Sequence, residues 1–151
     1  MDVEDLLIKH EGSKNVIYPD SLGKPTIGIG HCLQGNPLPV TMQPPLSQMQ
    51  IDQLFQADLA VVMKDLKNLD WFPNLDEVRQ AVIIDMTFNM GWPTFQKFHN
   101  TLLLIEQGKY NAAAEEMLLS LWAKQLPNRA KENSLMMATG LWPDNPNFPK
   151  S

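Results

Sequence analysis

The sequence predicts an α+β fold that is mainly α-helical, and three observations carry that expectation. Apolar residues recur at helical spacing over most of the chain, β-prone residues are confined to positions 16–30, and a proline-rich stretch separates the two textures. With 151 residues, 44% of them apolar, the chain can bury roughly 68–70% of its unfolded surface around one core, so a single domain is expected.

Val3, Leu6, Leu7 and His10 fall on one helix face, and Gly12 stands where a left-handed cap would end that helix. Val16-Ile17-Tyr18 is β-prone, residues 19–23 are turn formers, and residues 25–30 read as a returning strand, together a small hairpin or meander. Gly35, Pro37, Pro39, Pro44 and Pro45 forbid regular structure across residues 33–46, which reads as a surface loop. From Ser47, a good N-cap, the stripe Ile51, Leu54, Phe55, Leu59, Val62, Met63, Leu66 predicts a long amphipathic helix to about Lys67. Residues 78–90 are apolar almost all round, as in a central core helix, and Gly91 ends them. Two or three more helices are expected near residues 95–106, 110–122 and 127–139, with an irregular tail after Trp142.

The charge balance narrows the function classes. Twelve Lys and Arg against 17 Asp and Glu give a net charge of −5 with no basic block, which speaks against nucleic acid as a partner. Cys32 is the only cysteine, so no internal disulfide is expected and synthesis in a reducing cytoplasm fits. The start, Met-Asp-Val-Glu-Asp, is acidic where a signal peptide needs basic residues, and no run approaches the ~18 apolar residues of a membrane span. Neither a signal peptide nor membrane insertion is expected. His10, His31, His99 and Cys32 lack metal-ligand spacing, and Gly28-x-Gly30 has Leu33 where a dinucleotide fingerprint needs its third glycine. No metal or cofactor is expected.

Inverting hydrolysis of a glycosidic bond needs a protonated carboxyl on one side of the bond and a group that orients water on the other. Glu11 at the end of the first helix, Asp20 in the turn and Thr26 on the returning strand are candidates for such a set. On spacing alone these residue types read more readily as exposed or turn-forming residues. Asp85 inside the apolar helix reads as a paired structural acid rather than a third catalytic carboxylate, and the methionines and tryptophans as core, with Trp92 beside Pro93 in a loop the one to watch.

The surrounding motifs are more specific. Glu11-Gly12, Tyr18-Pro19-Asp20, Gly23, Thr26-Ile27-Gly28-Ile29-Gly30-His31, then Phe88-Asn89-Met90-Gly91 and Pro127-Asn128-Arg129-Ala130-Lys131 follow one another in a pattern that resembles the phage-type (T-even-like) lysozymes of glycoside hydrolase family 24. The resemblance runs from about residue 3 to Trp142. It implies a lysozyme-like two-lobed fold: a small β lobe at 13–46, a linking helix at 47–67, and a helical lobe built from 1–12 and 69–151. It also implies a muramidase that cuts the β-1,4 bond between N-acetylmuramic acid and N-acetylglucosamine in bacterial peptidoglycan, with Glu11 as general acid and Asp20 and Thr26 holding the attacking water. The alternatives are a lytic transglycosylase, or a non-catalytic peptidoglycan-binding or tail module of the same fold.

In that family pattern Phe88, Asn89 and Thr101 match substrate-facing positions, Arg129 lies against the acid, and His31 pairs with the residue that corresponds to Asp58. The resemblance also implies a holin or a delivery machine as helper, with action on the periplasmic wall by a monomer. Leu22, Leu121 and Leu126 depart from the acidic, polar or basic residues usual there, and Cys32 and Glu116 also differ. The acidic net charge departs as well, since it removes the attraction of a basic enzyme to an anionic wall.

Overall fold

The computed structural model describes residues 1–150. Helix α1 (Val3–Glu11) opens on a reciprocal cap: the Asp2 carboxylate accepts from the Asp5 amide at 2.9 Å, and the Asp5 carboxylate accepts from the Asp2 amide at 3.0 Å. Leu6 and Leu7 are fully buried, and Gly12 ends the helix with φ 72°.

Strands β1 (Lys14–Pro19), β2 (Pro25–Gly28) and β3 (His31–Cys32) form an antiparallel meander in the order β1-β2-β3, with Tyr18 opposite Thr26 and Ile27 opposite His31. Edge strand β1 leaves Val16 and Ile17 exposed, whereas Thr26, Ile27 and Gly28 of the central strand are buried. The loop that follows carries no helix or strand, and its end is pinned where the amide of buried Leu46 donates to the Asn15 carbonyl at 2.8 Å.

Helix α2 (Gln48–Leu66) begins with Ser47 and Gln50 in a second capping box. Ile51, Leu54, Phe55, Val62 and Leu66 of the predicted stripe are buried and Leu59 is half-buried, but Met63 is exposed because it lies one residue, about 100° of helix, beyond the buried Val62. Helix α3 (Glu77–Met90) starts from the Asp76 cap and buries every residue from Ala81 to Thr87. It packs against α1, α2 and α8 (Pro127–Thr139), which makes it the central helix.

The chain between α3 and α8 is more broken than its sequence predicts. Residues 92–106 form α4 (Trp92–Phe95) and α5 (His99–Glu106), and residues 110–125 form α6 (Tyr110–Met117) and α7 (Leu121–Gln125). The expected helix 110–122 is interrupted at Ser120, whose hydroxyl donates to the Met117 carbonyl at 2.8 Å and accepts the Ala123 amide at 3.1 Å. One serine thus closes α6 and caps α7, the competition with backbone pairing that makes serine a poor interior helix residue. Residues 92–95, expected as a loop around Trp92, start a helix because Pro93 fits the first turn.

Arg79 ties three helices together. Its Nε donates to the Met137 carbonyl at 2.7 Å and its Nη2 to Ala138 at 3.2 Å, capping the end of α8, while the guanidinium lies 3.8 Å from the Tyr110 ring centroid and pairs with Asp76 at 3.1 Å. Charge-assisted bonds to otherwise unpaired carbonyls and a cation–π contact lead us to expect that Arg79→Ala costs about 2–3 kcal/mol in urea unfolding. Arg79→Lys should recover less than half of that, since an ammonium cannot span both carbonyls.

Candidate active site

An open cleft of about 1410 Å³ lies between the sheet and the helices that follow α2. Glu11, Asp20, Thr26, His31, Asp58, Phe88, Asn89, Thr101 and Arg129 all line it, so the folding brings every sequence-predicted site residue to one surface.

Asp20 and Thr26 reach the cleft through a shared anchor, the peptide of Lys24. The Asp20 amide and the Thr26 hydroxyl both donate to the Lys24 carbonyl at 2.9 Å, and the Lys24 amide donates to Asp20 Oδ1 at 2.9 Å. Oδ1 also accepts the Leu22 amide at 2.9 Å, a local aspartate turn. Asp20 Oδ2 has no hydrogen-bond donor among the described residues. The sequence suggested a hydroxyl beside Asp20, and the two side chains meet through a peptide rather than by a direct bond.

Glu11, on the last turn of α1, keeps only 11% of its side-chain surface exposed. Arg129 Nη1 donates to Glu11 Oε1, and the Tyr18 hydroxyl reaches the Glu11 carbonyl at 3.4 Å. Gly30 makes the seat possible: its φ is +66°, and a Cβ there would run into the Glu11 carboxyl. Burial raises the Glu11 pKa above the ordinary carboxyl range, and the opposing pull of Arg129 does not cancel it. The reason lies on the far side of the guanidinium, where Nε and Nη2 each hold an oxygen of Asp85 at 3.0 Å. Glu11 therefore faces a cation already committed to a second, fully buried carboxylate.

Asp85 also accepts from Asn133 Nδ2 at 2.8 Å and contacts His10 Nδ1 at 2.9 Å. Desolvation alone would protonate it, but Arg129 and then His10 outweigh that and depress its pKa. His10 Nε2 in turn meets Glu132 Oε1 at 2.8 Å. Asp85 is thus the paired structural acid that the sequence favours over a third catalytic carboxylate, whereas nothing in the sequence reading joins His10, Glu132 and Asn133 to the site. The available signal was the spacing of Arg129, Glu132 and Asn133 at i, i+3, i+4, a polar face opposite the lone acid of an apolar helix.

His31 and Asp58 are brought together, with Nδ1 to Oδ2 at 2.7 Å and Nε2 to the Asn36 carbonyl at 2.8 Å. Both neighbours are acceptors, so only imidazolium, with two N–H donors, satisfies both. The bond to Asp58 raises the His31 pKa against its partial burial. The pair fastens β3 and the loop to α2. Of the residues matched to substrate positions, Phe88 packs edge-on against Phe55 at 5.7 Å, Asn89 accepts from Trp122 Nε1 at 2.9 Å, and Thr101 is 4% exposed. Each is partly engaged by the protein itself.

A family model, described as phage lysozyme, matches residues 8–137. The chain belongs to the phage lysozyme family. Its relatives within and around that family include the probable T4-type lysozyme 1 of Dictyostelium discoideum, 31% identical over 91% of this chain and 94% of that protein. The endolysin of Salmonella phage P22 is 29% identical over 87% of this chain and 92% of its own length. The pre-baseplate central spike protein Gp5 of Enterobacteria phage T4 is 27% identical over 93% of this chain but only 28% of its own. The phage lysozyme motifs that carried the sequence reading thus lie in the matched region, from Glu11 through Arg129. Among the described residues no helix is long and apolar enough to cross a membrane, and no group of three or more His, Cys, Asp or Glu side chains could hold a metal ion.

Because the folded His31 pKa is raised, its contribution to stability is full below the unfolded value of about 6.5 and disappears as pH rises through the folded one. Asp58→Ala is therefore expected to cost about 1–2 kcal/mol at pH 6 and clearly less at pH 9, read by thermal or urea unfolding at both pH values. Gly30→Ala, which displaces the Glu11 carboxyl, should lower both stability and wall hydrolysis, whereas Gly23→Ala, with open space around its Cβ, should affect stability only through its φ of +80°.

Proposed function

We propose that the chain is a muramidase that hydrolyses the β-1,4 bond between N-acetylmuramic acid and N-acetylglucosamine in bacterial peptidoglycan, with inversion. The observation that carries this reading is the contrast between two carboxyls on one cleft: Glu11, buried and held towards its protonated form, and Asp20, with one oxygen tied to the turn and the other free. Names of relatives support it, since two are called lysozyme or endolysin.

In this mechanism the glycan strand lies along the cleft, with Phe88, Asn89 and Thr101 among its contacts. Glu11 gives its proton to the leaving oxygen as the bond breaks. A water held by Asp20 and Thr26 attacks the anomeric carbon from the opposite face and passes its proton to Asp20. Arg129 orients Glu11, and the His31–Asp58 pair steadies the sheet edge. A monomer suffices for these steps. Access to the wall is the task of a holin or delivery machinery.

The test is digestion of Gram-negative peptidoglycan by the parent, Glu11→Gln and Asp20→Ala, with the fragments identified by mass spectrometry and the anomer of the first product by NMR. Reducing muropeptides with inverted configuration from the parent alone are expected. Anhydro sugars would assign a transglycosylase, and an intact wall with bound protein a non-catalytic module. The raised pKa of Glu11 adds a second expectation. A carboxyl with a raised folded pKa contributes stability below its unfolded value that is lost as pH rises through the folded value. Glu11→Gln should consequently raise the melting temperature at pH 7 by a few degrees, about 1 kcal/mol, and bring no gain at pH 4.

A further inference from the structure

Behind the acid the charges alternate through six side chains from three helices. Lys9 Nζ meets Glu132 at 2.8 Å, Glu132 meets His10 at 2.8 Å, His10 meets Asp85 at 2.9 Å, Asp85 meets Arg129 at 3.0 Å, and Arg129 meets Glu11. Exposure falls from 47% for Lys9 to 21% for Glu132, 7% for His10 and none for Asp85, and stays low at Arg129 and Glu11. His10 is the member of the series whose unperturbed pKa lies nearest neutrality. Carboxylates stand at both of its nitrogens, so imidazolium satisfies both contacts, whereas the neutral ring would turn a lone pair on one carboxylate.

We propose that His10 is a positioning residue which, through Asp85 and Arg129, sets the positive charge presented to the Glu11 carboxyl and so the proton affinity of the acid. The proposal rests on the reading of Glu11 as general acid. While His10 is charged, the single negative charge of Asp85 is divided between two cations, and Arg129 retains a net pull on Glu11. When His10 loses its proton, Asp85 neutralises Arg129 more fully, and Glu11 holds its own proton more tightly. The other ionisable groups around the acid, Tyr18 on β1 and Asp20 in the turn, lie outside this series.

The two links in the series act with opposite sign, which separates this role from a structural one. Removing the His10 charge raises the Glu11 titration. Removing the Asp85 charge leaves Arg129 to Glu11 and lowers it. A residue that only packs would reduce activity at every pH without moving either titration.

The experiment is a carbon-13 NMR titration of the Glu11 carboxyl in the parent, His10→Gln and Asp85→Asn, alongside the pH profile of peptidoglycan hydrolysis. In His10→Gln the carboxyl titration and the alkaline limb of the profile should both move up by about half a pH unit, the size expected of one charge at intermediate distance in a partly screened interior. In Asp85→Asn both should move down by at least as much. Should Asp85→Asn not fold, His10→Gln alone decides. An unmoved or lowered Glu11 titration in His10→Gln overturns the proposal. A shifted carboxyl in a parent that leaves peptidoglycan intact would uphold the coupling and overturn the hydrolase reading, so the two failures are distinct.

Discussion

A carboxylate with no exposure to water holds this site in place. Asp85 sits in the middle of the most buried helix, and an ion there is tolerated only with its charge and lone pairs fully answered. Two bonds from Arg129, one from Asn133 and the contact with His10 supply that answer. They also fix the relative setting of α1, α3 and α8, since His10 comes from α1, Asp85 from α3, and Arg129 and Asn133 from α8. Asn133 shows the strength of the demand: its amide is turned to donate to Asp85, and its own Oδ1 stays buried with no hydrogen-bond partner among the described residues. Glu11 is positioned by what remains of Arg129 after Asp85 is satisfied.

The parts of the structure legible in the sequence are those written in local patterns. The Asp2 and Ser47 caps, the stripe of α2, the all-apolar run of α3 and the turn formers around Gly23 each state their structure within a few residues. So do the motifs holding Glu11, Asp20, Thr26 and Arg129. The breaks at Phe98 and Ser120 were not legible, because Ser120 is compatible with either a helix interior or a cap and only the packing of Trp122 and Ala123 decides. The network behind the acid was invisible for a related reason. Its members lie 75 and 122 residues apart in the chain, and His10 looks like one more position on an amphipathic face.

The shifted groups give the molecule a common preference in pH. His10, His31 and Glu11 all bind protons more tightly when folded, so each withdraws stability as pH rises through its folded pKa. Asp85 and Glu132 bind them less tightly, and their contributions are lost as pH falls. For His10, desolvation opposes the gain and its two carboxylates outweigh it. The contributions of Asp85, Glu132, His10 and His31 are present together between roughly pH 4 and 6.5, the span between the unfolded carboxylates and the unfolded imidazole. That of Glu11 is full only below the unfolded carboxyl value and is withdrawn as pH rises through its raised folded one.

The Lys24 peptide has a consequence for the direction of attack. Because the Thr26 hydroxyl spends its hydrogen on that carbonyl, it meets anything in the cleft as an acceptor, and so does the free oxygen of Asp20. A water molecule between two acceptors has both hydrogens engaged and its lone pairs turned outwards. Under the proposed mechanism the nucleophile is therefore aimed before any sugar arrives, and its aim is set by a backbone turn rather than by the substrate.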